Sequence, residues 1–208
     1  MIKAIIFDMG GVLLDLELQR CRKTFVEDLG YEKIDELLDP CHQKGIYALI
    51  EEGMMSADEY RRLILQDSKE GKTPADVDAA MWSLLGNIMP YKVDYVKGLA
   101  QKYPLFLLSN NNEISWARCN EIFIEAGLPP KEVFQKLFLS YEMKLLKPGQ
   151  EIYLKAIEET GYKAEEMLFI DDSINNVEAA QKAGLHALHY VPGEDLVEAI
   201  NKKLEELC

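Results

Sequence analysis

A chain of 208 residues is long enough for one well-buried core plus a modest accessory domain, and 48% hydrophobic with 28% charged residues excludes a disordered polymer. The formal charge of -13 argues against nucleic acid and anionic membranes, which bind through clustered Lys and Arg; an anionic ligand would need a bound cation and at least one lysine. The four cysteines, Cys21, Cys41, Cys119 and Cys208, form no CxxC pair, and neither a secretory leader nor about 18 consecutive apolar residues is present, so the expectation is a cytoplasmic protein with free thiols.

The apolar run Ile5-Ile6-Phe7 stops at Asp8 and Gly10-Gly11, as a buried parallel strand does when it ends in a tight loop. From 16 to 86 no strand pattern is found. Helical stretches recur there around 21–25, 60–64 and 77–84, broken at Gly30, Pro40, Gly53 and Gly71. The pattern predicts an all-helical insert over 16–86 and a core made of 1–15 and 87–208. Within the insert, Met54, Met55, Met81 and Trp82 read as core before pocket, and Glu51-Glu52 reads as a solvated face.

After the insert, a strand at 105–108 ends at Ser109-Asn110, and Trp116, Cys119, Phe123 and Ala126 mark a helix capped by Asn111 or Asn112. A weaker strand at 137–139 precedes Lys147-Pro148, where Pro suits the first turn of a helix through Ile152, Ala156 and Ile157. A strand at 167–170 ends at Asp171-Asp172, followed by a helix through Ile174, Val177, Ala180 and Ala183 and a strand at 185–191. Such alternation predicts an α/β fold, a Rossmann-like doubly wound parallel sheet, with ligands beyond the carboxyl ends of its strands. Asp8, Ser109-Asn110 and Asp171-Asp172 sit at those ends, and Lys147 lies between the last two. His186 and His189 fall in the last strand and read as core or edge residues.

Taken together, Asp8, Ser109-Asn110, Lys147 and Asp171-Asp172 resemble the four motifs of the haloacid dehalogenase superfamily, and the insert resembles its C1-type cap. The resemblance covers the whole chain and implies a magnesium-dependent phosphatase acting on a small phosphorylated metabolite, such as a sugar phosphate. By the family pattern Asp8 is the nucleophile, which splits hydrolysis into two displacements through an aspartyl-phosphate. Ser109 and Asn110 would hold phosphoryl oxygens, and Lys147, with Lys144 as its rival, would offset the repulsion between nucleophile and phosphate. Mg2+ would be held by Asp8, the Gly10 carbonyl, Asp172 and, directly or through water, Asp171, with Asn176 orienting the acidic pair.

One position departs from the pattern. Family phosphatases carry a second aspartate two residues after the nucleophile as acid and base; this chain has Gly10, which resembles the Asp-x-Gly branch regarded as sugar-phosphate phosphatases. Asp15 is a possible substitute, although it also suits a helix cap; Glu17, His42, Glu51 and Glu52 are further carboxyl or imidazole groups that the sequence does not rank. The alternatives are a 2-haloacid dehalogenase-type hydrolase, which would need no metal and generally has tyrosine at the Gly10 position, a phosphomutase, or a weakly catalytic or non-catalytic binding protein of the same fold. No pattern specifies an oligomer.

Overall fold

The computed structural model describes residues 1–38 and 45–207; the expectations placed on Pro40, Cys41, His42 and Cys208 lie outside the described residues. The first strand, β1 (Ala4–Phe7), is buried along its whole length. Strand side chains alternate between faces, so Ile5 and Phe7 enter one apolar cluster and Ala4 and Ile6 another. A strand covered on both sides has no place for a polar residue, which accounts for its uninterrupted hydrophobicity.

A short loop leads to β2 (Leu14–Leu16) and the insert: α1 (Leu18–Lys23) with a π-helical extension over Thr24–Leu29, α2 (Ile34–Leu37), α3 (Gly45–Glu51), α4 (Ala57–Gln66) and α5 (Pro74–Trp82). Their ends follow local chemistry. The extension stops at Gly30 in the left-handed conformation, the Ser56 hydroxyl caps α4 by accepting from Glu59 N–H, and Pro74 opens α5.

The chain then runs through β3 (Leu85–Ile88), α6 (Pro90–Ala100), β4 (Leu105–Ser109), α7 (Glu113–Glu125), α8 (Pro130–Val133), β5 (Lys136–Leu139), α9 (Ser140–Met143), α10 (Gln150–Thr160), β6 (Met167–Asp171), α11 (Ile174–Lys182), β7 (His186–His189) and α12 (Leu196–Glu206). The five-stranded sheet has the order β5-β4-β1-β6-β7, all parallel, as the alternating pattern predicts. Phe7 pairs with Leu107 on one side and Ile170 on the other, so the residues that follow these strands emerge along one edge. The chain passes from β1 to β4 and β5 on one side and then crosses to β6 and β7 on the other, which makes this edge its switch point.

Two expectations need correction. The insert is not free of strand at its ends: β2 and β3 form an antiparallel ribbon in which Leu16 faces Leu85 and Leu14 faces Ile88. Asp15, Gly86 and Asn87 are poor strand formers in very short segments, so the pairing comes from the meeting of the two ends and not from propensity. Nor is Glu51 on a solvated face; it is 7% exposed, beside buried Tyr47 and Ile50.

Between these ends lies a separate apolar cluster that includes Cys21, Phe25, Tyr60, Ile64 and Met81, joined by Ile114 from α7. Trp82 donates its indole N–H to the Ile114 carbonyl at 2.9 Å, while Met54 is exposed. Cys21 and Cys119 are free and buried.

Candidate active site

The strand ends deliver three acidic side chains to one point. Asp8 is tied to the neighbouring strand by its own N–H, which donates to the Ile170 carbonyl at 2.8 Å. Lys147, buried just before α10, places its ammonium 2.8 Å from Asp8 Oδ1 and 2.6 Å from Asp171 Oδ2. Asp171 is fully buried and also accepts from Ser173 N–H at 2.8 Å and from Asn176 Nδ2 at 2.9 and 3.1 Å. Burial alone would lower the Lys147 pKa, but the Asp171 and Asp8 carboxylates hold its proton and raise it.

Asn110 meets Lys147 in an unexpected way. Its Nδ2 donates to the Lys147 carbonyl and its Oδ1 accepts the Lys147 N–H, both at 2.9 Å, so the carboxamide fixes the lysine loop while Asn110 also lines the cavity. Ser109 is buried and lines the same cavity. Asn112, not Asn111, caps α7, accepting from Ser115 N–H at 2.9 Å. Lys144 turns away: its ammonium donates to the Gly53 carbonyl on the insert.

Oxygens of Asp8, Asp171 and Asp172 lie within 4.8 Å of one another. Lys147 alone faces them at ion-pair distance among the described residues, so the cluster carries excess negative charge. Burial, opposed by Lys147 and reinforced by Asp171 and Asp172, pushes the Asp8 carboxyl up to about 8; burial and Asp171 push Asp172 up to about 6. Gly11 (φ 74°) gives Asp172 its space, since a Cβ there would lie 2.1 Å from Asp172 Oδ2. Hard oxygen donors, unsaturated in charge and open to a cavity, fit Mg2+.

This cluster makes metal-free stability pH-dependent. A carboxyl with a raised folded pKa contributes stability that is fully present below its unfolded value and is lost as pH rises through the folded one, here about 6 for Asp172 and about 8 for Asp8. In EDTA the melting temperature should therefore fall between about pH 5.5 and about pH 8.5, and Mg2+ should raise it more at the higher pH. A larger magnesium shift at the lower pH, read by thermal unfolding, would place the metal elsewhere.

The cavity facing this cluster measures about 400 Å³ and is lined by Asp8, Ser109, Lys147 and Asp172 from the sheet edge and by Tyr47 and Glu51 from the insert. A family model described as haloacid dehalogenase-like hydrolase matches residues 2–184. The chain belongs to the haloacid dehalogenase-like hydrolases. It is 34% identical over 197 residues to the D-ribitol-5-phosphate phosphatase of Bacteroides thetaiotaomicron, covering 94% of this chain and 95% of the relative. A predicted HAD-like family hydrolase of Porphyromonas gingivalis superposes with a TM-score of 0.89 at 34% identity, over 98% of both chains. A haloacid dehalogenase family enzyme of B. thetaiotaomicron, solved with magnesium and inorganic phosphate, gives 0.86 at 35% identity over 94% of this chain and 97% of that one.

In this haloacid dehalogenase-like hydrolase, then, Asp8, Gly10, Ser109, Asn110, Lys147, Asp171, Asp172 and Asn176 are gathered at one edge. Asp15 is not among them. It lies in β2 with its side chain 45% exposed and 3.4 Å from Lys92, does not line the cavity, and does not cap α1, whose cap residue is Glu17. Its neighbour Leu16, itself 40% exposed, lines the cavity instead and lies over Gly10, where a Cβ would sit 3.1 Å from Leu16 Cδ1. Glu17 and Glu52 do not line the cavity; Glu51 does. Ser115, whose buried hydroxyl has no hydrogen-bond partner among the described residues, also lines it and carries no sequence signal, because Ser in a first helical turn is commonplace.

Proposed function

We propose that Asp8 is the nucleophile of a magnesium-dependent phosphatase that hydrolyses a small phosphorylated metabolite through an aspartyl-phosphate, with residues 16–86 as a cap over the core 1–15 and 87–208. The observation that carries the assignment is the Lys147 ammonium held 2.8 Å from Asp8 and 2.6 Å from Asp171 beside a cavity. An anionic nucleophile approaches an anionic phosphate only where positive charge lies between them. Lys147 supplies part of it; Asn110 positions Lys147, and Asn176 with the Ser173 N–H orients Asp171.

Asp8, Asp172 and the Gly10 carbonyl would hold Mg2+. Asp171, whose oxygens already accept from Lys147, Ser173 and Asn176, suits contact through water. The ion supplies charge neutralisation and orientation of the phosphoryl oxygens. Ser109 binds a phosphoryl oxygen from the end of β4. Asp8 attacks phosphorus and expels the alcohol, and water then releases phosphate from Asp8.

The ribitol-phosphate activity of the B. thetaiotaomicron relative supports a sugar or polyol phosphate as substrate. The acidic cluster weighs against a metal-free 2-haloacid dehalogenase, and the relative's activity weighs against a non-catalytic binding protein. No described helix is long and apolar enough to cross a membrane, and the free buried thiols suit the cytoplasm.

A screen of pentitol, hexitol and sugar monophosphates should give phosphate release with Mg2+ and none in EDTA. Chloride release from a 2-haloacid without metal would overturn the assignment.

A further inference from the structure

The phosphatase reading leaves a proton unassigned. When Asp8 attacks the phosphorus of an alkyl phosphate, the ester P–O bond breaks and its electron pair goes to the ester oxygen, which leaves as an alcohol only by gaining a proton. Gly10 has no side chain to supply one, and Leu16 lies over the space that a side chain would take there.

Among the described residues, the titratable side chains lining the cavity are Asp8, Tyr47, Glu51, Cys119, Lys147 and Asp172. Asp8 and Asp172 are committed to nucleophilic attack and the metal. Lys147 is clasped by two carboxylates. Burial raises the Tyr47 phenol well above its usual range and the Cys119 thiol to about 12, so both hold their protons too tightly. That leaves Glu51.

We propose that Glu51, reaching from the last turn of α3 into the cavity opposite Asp8, is the acid that protonates the leaving alcohol and then the base that activates the hydrolytic water. This rests on the phosphatase reading. In the second half, the Glu51 carboxylate takes a proton from water as its oxygen attacks the phosphorus. The Asp8–phosphorus bond breaks, and inorganic phosphate, the Asp8 carboxylate and protonated Glu51 are restored.

Geometry and environment both suit this role. Glu51 is 7% exposed, and among the described residues its carboxyl group makes no hydrogen bond or ion pair. It is held by its backbone: the Ser140 hydroxyl, fully buried in α9, accepts from Asn111 N–H at 2.8 Å and donates to the Glu51 carbonyl at 2.6 Å. Two residues on, Gly53 (φ 67°) lies so close to α9 that a Cβ would stand 2.1 Å from the Tyr141 carbonyl oxygen. The insert is thus fastened to the core beside the residue proposed to act. The groups bearing on Glu51 are Asp8 and Lys147 from the core and Tyr47 and Tyr60 from the insert. Burial, opposed by Lys147 and aided by Asp8, pushes its carboxyl up to about 8, so it carries a proton at neutral pH.

The test is the dependence on leaving group. A nitrophenolate departs unaided and an alkoxide does not. The ratio kcat/KM reports only the steps through departure of the leaving group. Glu51→Gln should lower kcat/KM for the fastest sugar or polyol phosphate of the screen by about 10²-fold or more, leave kcat/KM for p-nitrophenyl phosphate close to wild type, and be partly rescued by Glu51→Asp. Equal losses on both esters, or no loss on either, would overturn the proposal, the first pointing to a packing role. If the wild type hydrolyses neither ester with Mg2+, it is the phosphatase reading that fails.

Discussion

Asp8→Asn should abolish magnesium-dependent phosphate release, by about 10⁴-fold or more, while leaving the fold intact or more stable. The kinetic half follows from covalent catalysis: a carboxamide oxygen cannot form the acyl phosphate, and Asp8 is the carboxylate that Lys147 holds at the cavity wall. The stability half follows from electrostatics. Burial and two neighbouring carboxylates push the Asp8 carboxyl up to about 8, so its ionised form is disfavoured in the metal-free protein. An isosteric neutral side chain removes that repulsion, and Lys147 keeps Asp171 as a partner at 2.6 Å. Phosphate release and thermal unfolding in EDTA at about pH 8 measure the two halves on one preparation. Wild-type turnover by the variant would show that another group attacks phosphorus.

Lys147→Met should damage both activity and stability. Methionine fills a comparable volume but leaves Asp8 and Asp171 buried without their cation, and breaking a buried ion pair from one side costs about 3–5 kcal/mol. The loss should be largest in EDTA at alkaline pH, where carboxylates ionise most fully, and smaller when Mg2+ restores positive charge. Turnover should drop by about 10²- to 10³-fold, the usual cost of removing one group that stabilises charge in the transition state. Urea unfolding with and without metal is the decisive measurement. An unchanged midpoint in EDTA would mean that the pair contributes nothing to the folded state.

The sheet and the acidic edge were legible because each depends on short-range pattern. Ile5-Ile6-Phe7 and the apolar run of β6 are buried on both faces, and a strand of that kind ends abruptly where polar residues begin. Asp8 and Asp171-Asp172 stand out for that reason. What the sequence concealed depends on contacts between distant segments. Asn110 reads as an anion binder beside Ser109, and nothing local signals that its carboxamide also ties down the backbone of a residue 37 positions away. Asp15 is the carboxylate that follows Asp8 most closely in the chain, but its side chain lies beside Lys92, and the next residue, Leu16, is the one that lines the cavity. Glu51 looked like half of a solvated pair. Its one local signal was spacing: it follows Tyr47 by four residues and Ile50 by one, on the apolar side of α3, where an unpaired carboxylate is costly.

The ribbon of β2 and β3 has a consequence for how such a protein diversifies. Departure and return points of the intervening chain lie side by side, so lengthening or rewriting that stretch alters the closure entropy only slowly and leaves the path of the sheet undisturbed. Ligand preference can drift through the segment that contributes Tyr47 and Ala48, so long as Glu51 is kept, while the edge assembled from strands that never enter it stays constant.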